Sequence, residues 1–166
     1  ATQLVTITIT GTNDAPVISV GDGDSAADSL EETDAGLATS GTLSVADADL
    51  SDEVTAAVTG VVASGDTAGA PDATTLQAML AVTGGIAAGD DSGTLNWVFD
   101  SDGEAFDYLA VDESLVLTYT LTATDSQGAT ATQLVTITIT GTNDAPVISA
   151  ADDSGAVTED SDVDAG

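Results

Sequence analysis

The chain contains no lysine, arginine, histidine or cysteine, against 29 aspartates and glutamates, so its formal charge is −29. Each absence removes a class of function. With no basic side chain to neutralise a phosphate, nucleic acid is excluded as a partner, and a direct electrostatic hold on an anionic membrane fails for the same reason. The usual general base, thiol nucleophile, Schiff-base amine and soft-metal ligands are missing as well, which leaves carboxylate chemistry alone. Neither a disulfide nor a lysine–asparagine isopeptide bond can stiffen the fold. Aromatic residues are only 3% of the chain, too few for a sugar-stacking platform. No apolar run reaches the roughly 18 residues that a membrane helix needs, and no signal peptide is recognisable, as expected of an internal piece.

What is present is oxygen. A chain this acidic repels itself when compact, and monovalent salt screens the repulsion only in part. Oxygen ligands in excess, with no nitrogen or sulfur competitors, point to Ca²⁺ ahead of any transition metal. The plainer use of the acidity is solubility in a saline medium, and composition alone does not separate the two.

Residues Ala1–Ser19 recur unchanged as Ala131–Ser149, an offset of 130 residues, so the chain is part of a tandem array. Asp34-Ala35-Gly36 and Asp164-Ala165-Gly166 keep the same offset. The expected organisation is the last strand and linker of a preceding repeat over 1–14, one complete repeat over 15–144, and the start of a following one over 145–166. Residues 1–12 lack a sheet of their own and should be frayed or paired to a neighbouring molecule.

Strands are read from alternation: Val17–Val20, Gly41–Val45, Val54–Val62, Thr94–Phe99, Leu115–Leu121 running on to Asp125, and Gln133–Thr140. Asp125-Ser126-Gln127-Gly128 reads as a hairpin turn. Between Asp72 and Val82 the period changes: Asp72 is placed to cap a helix, Leu76, Met79 and Leu80 share one helical face, and Gly84 ends it. Trp97, with Leu95 and Phe99, is assigned to the core, and Phe106, Tyr108 and Leu109 to a one-turn apolar plug. Roughly six to eight short strands with Gly/Asp-rich turns predict an all-β, Greek-key β-sandwich with one short inserted helix near 72–82.

Calcium takes about six to eight oxygens, which no single turn supplies here, so ligands must converge from several loops at one end of the sandwich. Asn13-Asp14, Asp47 and Asp49 after the third run, and Asp125 after the long strand are candidates for one such end.

Thr122-Ala123-Thr124-Asp125-Ser126-Gln127-Gly128, the Val135–Ile139 strand, Asn143-Asp144-Ala145-Pro146 and Val45-Ala46-Asp47-Ala48-Asp49 resemble cadherin-type repeats, and more closely the VCBS-type cadherin-like repeats of large bacterial RTX adhesins. The resemblance covers the full repeat, with 72–85 as an insertion. It implies Ca²⁺ shared between successive domains. Asn13, Asp14, Asp47, Asp49 and Asp125 would serve the upstream joint, and Glu31 or Glu32 with Asn143 and Asp144 the downstream one. Gly141 stands where the cadherin linker has its first Asp, the linker is one residue shorter, and the mid-domain acidic motif has no evident counterpart. The downstream set therefore draws on Asp102 or Glu104.

The resemblance implies a calcium-stabilised extender repeat of a secreted adhesin on the bacterial cell surface. It would be a rigid rod whose partners are adjacent repeats of the same chain, while other domains bind the ultimate ligand for adhesion or biofilm formation. The alternative is a carbohydrate- or surface-binding module using the Asp100–Glu104 turn with Tyr108. Catalysis is not expected: paired carboxylates can hydrolyse glycosides, but the acidic residues here lie in turns, with no apolar wall to raise the pKa of one of them.

Overall fold

A computed structural model describes residues 1–146 and Gly155. Among the described residues there are eight strands and one helix: β1 (Val17–Ser19), β2 (Ala27–Glu31), β3 (Ala38–Ala46), β4 (Val54–Gly65), α1 (Ala73–Ala78), β5 (Leu80–Ile86), β6 (Ser92–Asp100), β7 (Ser114–Asp125) and β8 (Thr130–Thr140). Residues 1–16 join no strand, and the following repeat expected over 145–166 lies from 147 onward outside the described residues, Gly155 apart.

Hydrogen bonding links the strands in the order β1-β3-β6-β5-β4-β7-β8-β2. The run β6-β5-β4-β7 is a Greek key, three hairpin-connected strands with the fourth returning beside the first. Two layers result. β1-β3-β6-β5 faces β4-β7-β8-β2, and they are joined along one side where β4 and β5 share only the pairs Val54–Ile86 and Thr55–Gly85. The N-terminal strand switches layers: β1 pairs antiparallel with β3, and after a crossing loop β2 pairs parallel with β8. Trp97 fixes that crossing, its indole N–H donating to the Ser25 carbonyl at 2.8 Å.

The alternation read from the sequence is the origin of the core. In β7, Leu115, Leu117, Tyr119, Leu121 and Ala123 are all fully buried while the intervening residues are not. Leu43 and Val45 from β3, Leu95, Trp97 and Phe99 from β6, and Val135, Ile137 and Ile139 from β8 complete the cluster. Phe99 and Tyr119 meet edge-on across the layers at 6.3 Å between ring centroids. Each large apolar side chain fully buried in this way contributes about 1.5–3 kcal/mol. Gly41 is required by this packing: a Cβ there would lie 2.5 Å from the Trp97 ring.

The helix is shorter than its expected 72–82 span. Asp72 caps it, accepting from the N–H groups of Thr74 and Thr75 at 2.9 Å each, but it ends at Ala78 and Leu80 begins β5. Leu80 is buried as expected, though as the register partner of Phe99 rather than as a third residue on a helical face. Gly84 is interior to β5. Phe106 and Leu109 form the apolar plug, both fully buried, with Tyr108 half-buried against them.

Candidate metal centres

The buried polar and charged residues are Glu32, Asp47, Asp52, Ser101 and Asp125, between 1% and 5% exposed. Each lies two positions from a residue that points into the core: Leu30, Val45, Val54, Phe99 and Ala123 respectively. A strand repeats its facing every two residues, so these side chains continue the inward-facing rows past the last apolar member. The sandwich is thus closed at both ends by oxygen instead of hydrocarbon.

At the upstream end, β3 and β7 finish and β4 and β8 begin, which brings together Asp47, Asp49, Asp52 and Asp125 from three separate stretches. The incoming linker joins them. The Asn13 side-chain amide donates to Asp125 Oδ2 at 2.9 Å, and the Asp14 N–H to Asp49 Oδ2 at 2.6 Å. Asp49 is held in turn, its N–H donating to Asp47 Oδ1 at 3.0 Å. Asp125 Oδ1 clasps the β7–β8 hairpin, accepting from the N–H groups of Gln127 and Ala129 at 2.9 and 2.8 Å. The Asn13 amide and these hairpin donors hold the Asp125 carboxyl below its usual range.

Asp52 was not foreseen. Its Oδ1 accepts from the Ser126 hydroxyl at 3.0 Å, while its Oδ2, like Asp47 Oδ2, is buried and meets no donor. The signal was in the sequence: Asp52 is in phase with Val54, as Asp47 is with Val45.

At the downstream end, the parallel pairing of β2 with β8 carries Glu32 to the place where the chain leaves the domain. Glu32 Oε1 accepts from the Thr142 N–H at 2.7 Å and from its hydroxyl at 2.6 Å, while Oε2 is buried and unpartnered. Glu31, the other sequence candidate, is exposed on β2. Asp144 has its carboxyl pushed above the usual range, first by partial desolvation and then by the charges of Glu32, Asp107 and Asp34. Asp34 and Asp107 therefore belong to this end although neither was a candidate. Asn143 repeats the local bond of its upstream counterpart: its side-chain amide donates to the Asp144 carbonyl at 3.3 Å, as that of Asn13 does to Asp14 at 3.0 Å.

Gly141 has a steric reason for replacing an acidic residue, since a Cβ there would lie 2.3 Å from the Ala110 carbonyl oxygen and 2.4 Å from that of Leu109. The linker is thereby pressed onto the apolar plug.

Asp102 and Glu104 occupy a turn of their own. The Asp102 N–H donates to Asp100 Oδ1 at 2.9 Å, and Glu104 Oε1 accepts from the Phe106 N–H at 3.2 Å. The turn borders a depression of about 600 Å³ shared with Thr75, Met79 and Val98. Tyr108 borders a different one, of about 250 Å³, beside Asn143 and Asp144. Its hydroxyl is buried without a partner, and desolvation followed by the Glu104 charge pushes its pKa up to about 12. The turn and Tyr108 thus do not share a binding depression, and Trp97 is fully buried.

No three carboxylates among the described residues stand close enough together to hold one ion as they are. The donor chemistry nevertheless fits a hard cation. Asp47, Asp52 and Glu32 each direct an oxygen into the protein where no donor meets it, and the sequence holds no lysine, arginine or histidine that could supply one. Burying a carboxylate oxygen without a partner costs about 1–3 kcal/mol or more.

No protein-family profile and no curated protein sequence matches the chain. Among solved structures it is similar to the CooA pilin subunit of enterotoxigenic Escherichia coli, 12% identical, covering 80% of this chain and 100% of that one at a TM-score of 0.44. It is also similar to PapD-like domain 7 of human CEP192, 10% identical, covering 87% and 96% at a TM-score of 0.45. A third is AggA, the major subunit of aggregative adherence fimbriae type I from Escherichia coli, 10% identical, covering 80% and 99% at a TM-score of 0.38. No helix among the described residues is long and apolar enough to cross a membrane.

Proposed function

We propose that this chain is a calcium-stiffened spacer repeat of a secreted bacterial surface adhesin, of the VCBS-type cadherin-like kind its motifs resemble. The observation that carries the reading is the set of buried carboxylate oxygens without donors at the two ends where the polypeptide enters and leaves: Asp47 and Asp52 upstream, Glu32 downstream. An array of such repeats brings the downstream end of one to the upstream end of the next, so the two half-sets meet at every joint.

Asp47, Asp49, Asp52 and Asp125, with Asn13 and Asp14 from the linker, would hold the ion upstream. Glu32, Asp144 and Asn143, with Asp34 and Asp107, would hold it downstream. The ion supplies positive charge that no side chain of this protein carries, and a bond network tying linker to sandwich. Ligands that are near one another but not closed into a cage suit weak sites, and extracellular modules bind at about 10⁻⁴ to 10⁻³ M. Such sites would be largely empty in the cytosol and filled outside the cell. At about 100 times the dissociation constant, each site bound only by the folded state adds about 2.7 kcal/mol.

The test is solution scattering on a chain carrying two complete repeats. Addition of Ca²⁺ to chelated protein should lengthen and narrow the particle, and Asp52→Asn with Glu32→Gln should abolish the change. An unchanged scattering profile on calcium addition would remove the mechanical reading and leave only the fold.

A further inference from the structure

We propose that the segment Ala1–Thr10 is a donor strand that occupies the β8 position in a second copy of this chain. Ala1–Thr10 has the same sequence as Ala131–Thr140, which contains all of β8 but its first residue. In its slot β8 is paired on both sides, antiparallel to β7 from Ser114–Thr140 to Thr124–Thr130, and parallel to β2. Val135, Ile137 and Ile139 are fully buried there, yet their counterparts Val5, Ile7 and Ile9 are 77%, 80% and 91% exposed in a segment that joins no strand. Everything that shapes the slot for the one sequence shapes it for the other: facing, register and apolar contacts.

Chain length forbids the segment from filling the slot of its own domain. β8 runs its 11 residues from the upstream end to the downstream end, roughly 36 Å at about 3.3 Å per residue. A segment seated there would leave Thr10 downstream, beside Glu31, while Val17 must pair with Ala46 at the upstream end. The seven residues from Thr10 to Val17 reach at most about 25 Å. The acceptor is therefore another molecule, or another repeat of an array.

The slot's own β8 is the competitor, tethered by the short turn after Asp125. A short flexible tether gives an effective concentration on the order of millimolar, so refolding at about 0.1 mM chain puts roughly one slot in ten, or fewer, in the exchanged form. The exchanged fraction rises in proportion to concentration, because one route is bimolecular and the other is not. Arrays lying side by side would be stitched together through this exchange during folding.

Register makes the test specific. Thr118 of β7 pairs with Thr136, the counterpart of Thr6, whereas Thr122 pairs with Thr132. A chain with Thr6→Cys and a chain with Thr118→Cys, otherwise free of cysteine, are denatured, mixed, refolded and oxidised, with Trp97 emission reporting recovery of the core. A disulfide joining the two chains is expected, with a yield that rises about tenfold for a tenfold rise in concentration. It should be lost when Thr122→Cys replaces Thr118→Cys. Refolded protein without the cross-link, or equal yields at the two positions, overturns the proposal. Should either thiol variant fail to refold, the unsubstituted chain is compared by light scattering with a chain beginning at Gly11. A concentration-dependent dimer confined to the longer chain supports exchange, and equal behaviour of the two overturns it.

Discussion

Glu32 and Thr142 are 110 residues apart, yet one carboxylate oxygen of Glu32 accepts both the N–H and the hydroxyl of Thr142, at 2.7 and 2.6 Å. The bond pair fastens the outgoing linker to the N-terminal strand at the point where both leave the sandwich. The second oxygen of the same carboxylate is buried with no partner. One side chain thus combines a structural clamp with a free ligand.

Those two roles separate by substitution. Glu32→Ala removes the acceptor for two buried donors and should destabilise the chelated protein by about 1–3 kcal/mol, seen as a lower midpoint in chemical denaturation. Glu32→Gln keeps an oxygen for Thr142 and loses the charge. It should stay close to the parent without calcium and lose much of the rise in melting temperature when calcium is added.

Asp47 and Asp52 should behave in the opposite way to ordinary core residues. Each buries an oxygen with no donor, and replacement by the near-isosteric asparagine removes the charge. Asp52→Asn in chelated protein should therefore be neutral or stabilising, whereas in calcium it should fall below the parent. Calorimetric melting in the two conditions checks the crossing.

Acid should separate the two ends. The Asp125 carboxyl is held below its usual range by the Asn13 amide and the hairpin N–H groups. Its stabilisation is present above the unfolded-state pKa of about 3.9 and is lost as pH falls through the lower folded value. The Asp144 carboxyl is pushed up by desolvation and by Glu32, Asp107 and Asp34. Its contribution has the other sign: full below about 3.9 and lost as pH rises through the raised folded value. Asp144→Asn should thus raise the melting temperature of chelated protein at neutral pH and leave it little changed at acid pH. Thermal melts across that range provide the measurement.

Gly41 offers a check on the core that is independent of any ion. A Cβ at this position would lie within 2.5 to 2.9 Å of three atoms of the Trp97 indole. Gly41→Ala should cost about 1–3 kcal/mol through forced repacking, with a shift in Trp97 emission as the indole is displaced. Its response to calcium should be that of the parent.

Much of the fold was legible because its strands are long and strictly alternating. β7 and β8 show the period of two without interruption, and the Thr-rich faces could only point outward. β2 was missed because Ala27-Asp28-Ser29-Leu30-Glu31 has no β-branched residue. It is a strand because β8 offers it an edge, a tertiary cause invisible locally. The C-terminal half of the expected helix failed for a related reason. Leu76, Met79 and Leu80 fit a helical stripe, but Leu80 and the residues after it find a partner in β6.

The candidate centres divide along the same line. Asp47, Asp49 and Asp125 were placed correctly at one end because each follows a readable strand. Asp52 could have been found by extending the inward phase of β4 backward from Val54. Asp34 and Asp107 could not, since the 33–36 and 106–109 turns meet the outgoing linker only through long-range packing.

The account rests on the ends of the sandwich being completed by a hard cation, and a calorimetric titration of the chelated chain with Ca²⁺ tests this most directly. Saturable binding at about 10⁻⁴ to 10⁻³ M is expected, stronger than for Mg²⁺, weakened by Asp52→Asn at one end and by Glu32→Gln at the other. Heats that never saturate, or that Mg²⁺ and sodium reproduce at equal ionic strength, would show that the acidity is only screened and would contradict the account.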